Sequence, residues 1–359
     1  MGVAQSLIKE SIREIERYQV GRGDEEGGVI KLSSNENPLG VSEKAKEAIA
    51  KFSGRIHRYP PDNPSPLRKE IAERFCLKAE NIILGNGSDE IIDLVIKAFL
   101  MCEEEVLLSE IDFLLYRLSA KIAGAKIVSV PPKEFKTDLE AMKRKVNKRT
   151  KIIFLSNPNN PLGTYLNRRE MEEFLRALPE SVIVVVDQAY AEFVDKDDYP
   201  LLFDLLPKHN LILLRTFSKF YGLAGLRIGY GISNARLIEY LNRVRFPFNV
   251  NYLAQEAARA VLKDKVFANK TKETVECGRR YIFSRLDEMG VFYINTVTNF
   301  VSIDIREDGE EFSQKMLNYG IAVRDLKPYR LSRFVRVSIG QEKENRKFIE
   351  ALKALIGGR

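Results

Sequence analysis

The chain has 359 residues, enough for two domains that share an interface, and its 45% hydrophobic and 30% charged residues are typical of a soluble globular protein. Its net charge is +7, but acidic and basic residues are interspersed, which favours small anionic substrates over nucleic acid. No apolar run approaches the roughly 20 residues of a membrane span. Three widely spaced cysteines and two histidines provide no disulfide framework, metal site or serine–histidine triad, so we expect a cytoplasmic protein without a metal.

The N-terminal part of the chain is expected to contain two helices separated by turns and loops. An amphipathic helix is predicted over residues 4–17, a glycine-rich turn over 21–28, and an extended segment with a loop over 30–40. Ser42 is expected to cap a second helix that ends at Phe52. Four of the fourteen prolines lie between His57 and Pro66, which predicts a loop there.

From residue 82 onward, short apolar runs alternate with stretches of helical periodicity. Because the runs are almost continuously apolar, this pattern predicts an α/β fold whose mostly parallel sheet is covered on both faces. Ligands bind such sheets at the carboxyl ends of the strands. The runs are Ile82–Leu84, Val106–Leu108, Ile127–Val130, Ile152–Leu155, Val182–Val186, Leu211–Leu214 and Ile228–Ile232.

Beyond residue 245 the pattern changes to two long helices, three short alternating segments and a final helix over 342–355. We expect a smaller α/β domain there, to which the N-terminal segment returns. The resulting division assigns residues 1–50 to an N-terminal arm and part of the small domain, 51–246 to a large domain, and 247–359 to the small domain.

The stretch from Leu211 to Ile232 holds the most informative polar residues. A lysine between apolar walls and beside a cation can have a depressed pKa, and its neutral amine then attacks carbonyl groups. On spacing alone, a solvated surface lysine is the alternative. Two apolar runs enclose the polar and small residues Thr216, Ser218, Lys219, Gly222, Gly225 and Arg227.

The segment Gly85-Asn86-Gly87-Ser88-Asp89 follows the first apolar run and opens a helix. Free backbone N–H groups at such a helix start can bind a phosphate, although a tight turn without a ligand fits equally well. The segment completes neither a Walker A loop nor Gly-x-Gly-x-x-Gly, because Glu90 occupies the third glycine position.

Two further strand ends carry polar groups. The segment from Ser156 to Gly163 contains two prolines, which fix its path, and asparagines that can donate to a ligand oxygen. Asp187 ends a buried run and is followed by Tyr190. A carboxylate in that position needs a positive partner, which is either a ligand or an internal ion pair.

Pyridoxal 5′-phosphate requires the combination of groups found at these strand ends. Its aldehyde condenses with a lysine amine such as Lys219, and its pyridinium nitrogen pairs with a carboxylate such as Asp187. Its phenolate oxygen takes donors such as asparagine or Tyr190, while its phosphate binds N–H groups, hydroxyls and a guanidinium such as Arg227. The alternative from a different class is a non-catalytic nucleotide-binding α/β protein.

The sequence also resembles a known family. Along nearly its whole length it is similar to the fold-type I, aspartate-aminotransferase-like enzymes, and among them to the histidinol-phosphate aminotransferases. The resemblance implies a large domain with a seven-stranded mostly parallel sheet and a smaller α/β domain formed by both termini. It is carried by SSNENPLG (33–40), RYP (58–60), GNGSDEIIDL (85–94), YRLSAKIAGA (116–125), NPNNPLGTYL (157–166), VVVDQAYAEF (184–193), RTFSKFYGLAGLRIGY (215–230), PFNVN (247–251) and VRVSIG (335–340).

The resemblance assigns a role to each candidate residue. Lys219 bonds covalently to pyridoxal phosphate and transfers the substrate proton, Asp187 pairs with the pyridinium, and Asn160 and Tyr190 face its O3′ oxygen. Phe113 stacks on the ring, and Arg336 binds the substrate α-carboxylate. The cofactor-binding set further contains Gly87, Ser88, Asp89, Thr216, Ser218, Arg227 and Tyr59 of the partner subunit, and the substrate-binding set Tyr18, Asn37 and Arg324.

The implied activity is that of a homodimeric aminotransferase in histidine biosynthesis. It interconverts L-histidinol phosphate and 2-oxoglutarate with imidazole-acetol phosphate and glutamate. Aromatic amino acid transamination and threonine-phosphate decarboxylation are the alternatives on the same fold. The chain departs from the family pattern at Gln188, where glutamate is usual, at Leu162, where threonine is common, and at Ile111-Asp112, where Pro-Thr is usual.

Overall fold

The computed structural model describes residues 7–13, 15, 28–62 and 65–356. Within the predicted helix over 4–17, the structure describes the helix α1 (Glu10–Arg13), and most of the predicted turn over 21–28 lies outside the described residues. Ser42 precedes α2 as predicted, but its side chain makes no capping hydrogen bond and instead donates to Asp264 Oδ2 at 2.5 Å. The elements of this part are α1 (Glu10–Arg13), β1 (Ile30–Lys31), α2 (Glu43–Phe52) and α3 (Pro66–Arg74).

A seven-stranded sheet forms the centre of the large domain, as predicted. Its spatial order is β2-β8-β7-β6-β5-β3-β4, and only β8 runs antiparallel to its neighbours. The carboxyl ends of β5, β6 and β7 therefore meet at one edge. The strands are β2 (Ile82–Gly85), β3 (Glu105–Ser109), β4 (Lys126–Val130), β5 (Thr150–Ser156), β6 (Ile183–Asp187), β7 (Leu211–Thr216) and β8 (Gly229–Ser233).

Helices cover both faces of this sheet. Ile152 and Phe154 of β5 are buried in one apolar core and Ile153 and Leu155 in the other, because successive side chains of a strand point to opposite faces. Asn167 and Glu170 fix the start of one helix through a reciprocal capping box. The helices are α4 (Gly87–Phe99), α5 (Leu114–Ile122), α6 (Leu139–Lys145), α7 (Arg168–Arg176) and α8 (Ala235–Val244).

The C-terminal part forms a second, four-stranded antiparallel sheet in the order β12-β13-β10-β9. The N-terminal strand β1 pairs in parallel with β11, so both ends of the chain contribute to this part. The elements are α9 (Tyr252–Leu262), α10 (Lys265–Glu288), β9 (Tyr293–Ile294), β10 (Phe300–Asp304), α11 (Gly309–Asn318), β11 (Ile321–Ala322), β12 (Arg324–Asp325), β13 (Phe334–Ser338) and α12 (Glu342–Ile356).

The α/β class, the mostly parallel seven-stranded sheet and the smaller second sheet are thus confirmed, whereas the domain boundaries at residues 50 and 246 stay predictions. Helix α9, which follows the second boundary, packs against α2 and α3. The loop between β5 and α7 contains two cis peptide bonds, Asn157-Pro158 and Asn160-Pro161.

Candidate active site

A cavity of about 670 Å³ opens where the carboxyl edge of the large sheet faces the second sheet. It has walls from three parts of the chain: the strand ends of the large sheet, the loop after β1, and β12 and β13. The predicted site residues that line it are Gly87, Ser88, Asp89, Phe113, Asn160, Asp187, Tyr190, Thr216, Ser218, Lys219, Arg227, Arg324 and Arg336.

Lys219 lies just beyond the end of β7, and its amine faces the loop that follows β1. The Nζ atom donates a 2.9 Å hydrogen bond to the backbone carbonyl of Ser34. Burial and, to a lesser degree, the positive charge of Arg336 lower the pKa of Lys219 to about 8. A substantial fraction of the amine is therefore neutral near physiological pH and available as a nucleophile or base.

Asp187 ends β6, and its carboxylate is 5% exposed. The Tyr116 hydroxyl donates to Oδ2 at 2.8 Å, and the Ala189 amide donates to Oδ1 at 3.0 Å. Burial raises the pKa of Asp187 to about 6, although both hydrogen bonds favour the ionised form. A positive group placed against this carboxylate would restore its normal ionisation, which is the environment that a pyridinium nitrogen requires.

Tyr190 and Asn35 form a buried polar pair beside Lys219 in the same cavity. The Asn35 amide donates to the Tyr190 hydroxyl at 2.9 Å, and burial raises the pKa of Tyr190 to about 12. Tyr190 therefore stays protonated and can donate its own hydrogen. Asn35 has a φ of 54°, a left-handed conformation that asparagine tolerates better than most residues.

Two arginines occupy the wall formed by the second sheet. Arg324 of β12 lies opposite Arg336 of β13 in the strand register, and both side chains line the cavity. Arg336 donates to Asn160 Oδ1 and, at 3.1 Å, to the Ser33 carbonyl. Its buried Nε has no hydrogen-bond partner among the described residues. A buried guanidinium with a spare donor is suited to bind a carboxylate or phosphate.

The opposite end of the cavity holds the start of α4. Asn86 precedes this helix without capping it, because its side chain donates to Glu90 and to the Asn249 carbonyl. Gly87 has a φ of +74°, and a Cβ atom there would lie 2.7 Å from the Nη2 atom of Arg227. The missing side chain thus lets the guanidinium lie over the helix start.

Hydroxyl groups complete this end of the cavity. Arg227 Nη2 pairs with Asp89 at 2.9 Å, and Nη1 lies 3.4 Å from the Ser218 hydroxyl. Ser88 and Thr216 also line the cavity. Uncapped N–H groups, hydroxyls and a guanidinium at a helix start together form a phosphate-binding environment.

Phe113 lines the cavity and packs edge-on against Tyr116, with ring centroids 5.5 Å apart. The neighbouring Asp112 is buried and accepts the Phe113 amide at 2.9 Å. Burial, and to a lesser degree the charge of Asp187, raises the pKa of Asp112 well above its ordinary range. The raised pKa favours the neutral form of Asp112 and so reduces the negative charge beside the cavity.

Among the described residues, Tyr59 and Asn37 are predicted site residues that do not line the cavity. Tyr18 lies outside the described residues. Tyr59 is 81% exposed and stacks on Phe248, with ring centroids 4.7 Å apart. Asn37 donates to the Phe220 carbonyl at 2.7 Å and to Thr271, which commits its amide to the protein. The Asn37 amide thus bonds within the protein beside the Lys219 segment, and its assignment to the substrate-binding set stays a prediction.

Several residues that line the cavity or support its side chains were not predicted from the sequence. The loop after β1 contributes Ser33, Ser34, Asn35 and Glu36, which belong to the resembling segment SSNENPLG but have no predicted individual role. The backbone carbonyl of Ser34 could not be identified by residue type. Tyr116 lies in another of the resembling segments, but a tyrosine within a helix carries no separate signal. The other cavity residues without a predicted role are Lys31, Ser156, Ala189, Ala224 and Tyr329.

No group of three or more histidine, cysteine, aspartate or glutamate side chains suited to a metal ion occurs among the described residues. Within the same part of the chain, no helix combines the length and apolar character that a membrane crossing requires.

Comparison with known proteins agrees with this site. The family model for aminotransferase class I and II matches residues 27–352. Histidinol-phosphate aminotransferase 1 of Nitrosococcus oceani is 41% identical over 358 residues, which cover 98% of this chain and 97% of the relative. The histidinol-phosphate aminotransferase of Moorella thermoacetica is 40% identical over 97% of this chain and 92% of its own.

A solved structure has the same architecture. The histidinol-phosphate aminotransferase of Sinorhizobium meliloti, in complex with pyridoxal-5′-phosphate, superimposes with a TM-score of 0.87 at 26% identity, covering 92% of this chain and 91% of that one. The family model matches most of the chain, and relatives near 40% identity cover nearly its full length. This protein therefore belongs to the aminotransferase class I and II family.

Proposed function

We propose that the protein is a pyridoxal 5′-phosphate-dependent aminotransferase that interconverts L-histidinol phosphate and 2-oxoglutarate with imidazole-acetol phosphate and glutamate, a step of histidine biosynthesis. The observation that carries the proposal is that Lys219, Asp187 and Arg336 line one cavity. These groups provide an amine with a lowered pKa, a buried carboxylate, and a guanidinium with one N–H donor that has no partner among the described residues. Relatives of this length and identity named histidinol-phosphate aminotransferase support the choice of substrates.

The residues of the cavity fit pyridoxal phosphate. The uncapped start of α4 and Arg227 suit its phosphate, and Gly87 leaves the space that the guanidinium occupies. The buried Asp187 carboxylate, whose pKa is raised in the protein alone, suits a positively charged ring nitrogen. Phe113 provides an aromatic face. When bound, this cofactor supplies an electron sink for the carbanion formed at the substrate α-carbon.

Lys219 has two roles in this proposal. Its neutral amine binds the cofactor aldehyde, and the same nitrogen, once displaced by substrate, takes a proton from one carbon and returns it to another. Both roles require a lysine whose pKa lies near the working pH, which burial and Arg336 provide. The Ser34 carbonyl holds the amine in place by accepting its hydrogen bond.

Tyr190 and Asn160 are proposed to orient the phenolate side of the cofactor. Tyr190 is protonated and donates through its hydroxyl, and the Asn35 amide fixes that hydroxyl by donating a hydrogen bond to it. Asn160 also accepts a hydrogen bond from Arg336, so it links the cofactor side of the cavity to the substrate side. Asp187 is held by Tyr116 in the same way.

Arg336 and Arg324 are proposed to bind the anionic groups of the substrates. Arg336 offers its spare donor and a planar fork that matches a carboxylate, and its face lies over the Phe300 ring at 5.3 Å. Because glutamate and histidinol phosphate differ in their anionic groups, two neighbouring guanidiniums allow one site to bind both.

We further propose that the protein is a homodimer in which Tyr59 of the partner subunit reaches the cofactor phosphate. Tyr59 and Phe248 stack as an exposed aromatic pair, and Ile56 and Phe246 beside them in the chain are 67% and 73% exposed. Apolar side chains exposed in this way are typical of a surface that a second subunit covers. A cytoplasmic location, expected from the free cysteines, stays a prediction.

The decisive experiment is a survey of amino donors on the purified holoenzyme, followed through the cofactor absorbance. Glutamate and L-histidinol phosphate are expected to convert the cofactor to its amine form. A response to aromatic amino acids alone, or carbon dioxide release from threonine phosphate, would replace the substrate assignment.

Borohydride reduction followed by peptide mapping tests the reaction class itself. A stable adduct is expected at Lys219 and nowhere else, and a Lys219→Ala variant should lose at least about 1,000-fold in turnover because nucleophile and base are one residue. Lys208→Ala, which removes an exposed lysine, is the control. Full turnover in Lys219→Ala would show that Lys219 is not the catalytic lysine, whereas no adduct and no turnover in the wild type would leave the non-catalytic nucleotide-binding alternative.

A further inference from the structure

Tyr329 lines the active-site cavity and has no role in the function proposed above. It ends a short 3-10 helix, Lys327–Tyr329, which lies between the strands that carry Arg324 and Arg336. The residue is 3% exposed. Tyr190, Arg324 and Arg336 line the same cavity. Tyr329 therefore shares the cavity with both arginines of the second sheet.

The ring of Tyr329 belongs to an apolar cluster that joins the two domains. This interdomain cluster contains Ile111 and Leu162 from the large domain and Ile294, Leu326, Tyr329 and Phe334 from the C-terminal part. Ile111 and Leu162 are 8% and 0% exposed. They are also two of the positions at which the chain departs from the pattern of the family it resembles. The apolar cluster fixes the position of the Tyr329 ring, and the polar cavity favours the orientation in which the hydroxyl faces it.

Leu162 is itself held firmly. Its amide donates to Asn159 Oδ1 at 3.0 Å, and the preceding carbonyl, of Pro161, accepts the Ser302 hydroxyl at 2.6 Å. The following carbonyl, of Gly163, accepts the Val297 amide at 3.0 Å. Hydrogen bonds to the second domain flank Leu162 on both sides, so the loop cannot shift to compensate for a smaller side chain. Such a substitution would leave a gap beside the cluster.

We propose that Tyr329 is a substrate-positioning residue that donates a hydrogen bond to the anionic group bound by Arg324 and Arg336, and that Leu162 fixes its ring from the opposite domain. This inference rests on the proposed function of the cavity. A phenol hydroxyl is neutral at working pH and adds a directed donor beside two cations, which favours one orientation of a carboxylate or phosphate.

The test uses the holoenzyme with glutamate as substrate and maleate as an unreactive dicarboxylate. Tyr329→Phe is expected to raise the KM for glutamate and the Kd for maleate about 5- to 10-fold, with kcat changed less than about 2-fold, because one hydrogen bond to a charged group is lost. Tyr319→Phe, at a tyrosine 52% exposed in the same domain, should change neither constant. Unchanged KM and Kd in Tyr329→Phe would overturn the substrate contact.

The role of Leu162 is tested by exchange for threonine, the residue common in the family, and for methionine. Leu162→Thr should raise the maleate Kd about 3- to 5-fold, and Leu162→Met should recover most of that loss because it refills the cluster. Ile111→Val provides the same test if the threonine variant does not fold. A lower melting temperature without any change in the maleate Kd would overturn the positioning role.

The proposed function and this inference fail separately. A wild-type protein that transaminates no donor overturns the proposed function. In that case the maleate Kd of Tyr329→Phe still tests the hydrogen bond from Tyr329 to the bound anionic group. A wild-type protein that does not bind maleate overturns the assignment of this end of the cavity to anionic groups.

Discussion

Lys219 and Ser34 are 185 positions apart in the chain, yet the Lys219 amine donates a 2.9 Å hydrogen bond to the Ser34 carbonyl. This contact joins the end of β7 to the loop after β1, and β1 in turn pairs with β11 of the C-terminal part. The reactive amine is therefore held by a backbone group of the segment that closes the second domain.

The pH dependence of cofactor uptake should report the depressed pKa of Lys219. Only the neutral amine attacks an aldehyde, so the rate of cofactor incorporation into the cofactor-free protein should rise with pH, with a midpoint near pH 8. Stopped-flow absorbance between pH 6 and 10 measures it.

Arg336→Gln should move that midpoint upward, because the positive charge of Arg336 is one cause of the lowered pKa. Arg333→Gln is the matched control, since it removes an exposed guanidinium that pairs with Asp304 within the same domain. Equal midpoints in both variants and the wild type would contradict the electrostatic role of Arg336.

Asp187→Asn should stabilise the cofactor-free protein at pH 8 while it impairs cofactor binding. The folded-state pKa of Asp187 is about 6, against an ordinary value of 3.8, so the ionised carboxylate destabilises the fold, increasingly as the pH rises from 4 to 6 and fully above it. The shift corresponds to about 3 kcal/mol. The gain should be present at pH 8 and nearly absent at pH 4.

Denaturant unfolding of the cofactor-free protein at both pH values measures this difference. Asp204→Asn is the comparison, because the hydrogen bond from Arg168 lowers the pKa of Asp204 and its replacement should bring no stabilisation. An identical effect of Asp187→Asn at both pH values would show that the carboxylate is not strained by burial.

Gly87→Ala should weaken cofactor binding at least about 10-fold. The new Cβ would lie 2.7 Å from Arg227 Nη2, and the backbone φ of +74° is unfavourable for alanine by about 1 kcal/mol or more. Gly54→Ala is the matched control, since a Cβ there meets nothing within 4 Å. Equilibrium dialysis with pyridoxal phosphate gives the two dissociation constants, and similar values would place the phosphate elsewhere.

Tyr59→Ala should weaken cofactor binding through the partner subunit. A mixture of Tyr59→Ala and Lys219→Ala chains, unfolded and refolded together, should regain activity, because each mixed dimer contains one site with both residues intact. Random pairing makes that about a quarter of all sites. Analytical ultracentrifugation checks the dimer, and a mixture no more active than Tyr59→Ala alone would show that Tyr59 acts within its own chain or not at all.

The sequence by itself determined the large sheet and the main chemical groups of the site. The apolar runs predicted all seven strands, because a strand buried on both faces needs continuous apolar residues, and the parallel connections placed Asp187, Thr216 and Lys219 near one edge. The rule that ligands bind at the carboxyl ends of parallel strands also predicted that Arg227 and the start of α4 belong to the site.

Only the tertiary structure decided which groups hold those residues in place. Ser34 acts through its carbonyl, which every residue type carries, and Tyr116 and Asn35 act through contacts across 71 and 155 positions that no local pattern encodes. Asn37 shows the reverse case, since its residue type suited a ligand but its amide is used by Phe220 and Thr271. Residue type limits what chemistry a side chain can do, whereas packing between distant segments decides whether it faces the cavity or the protein.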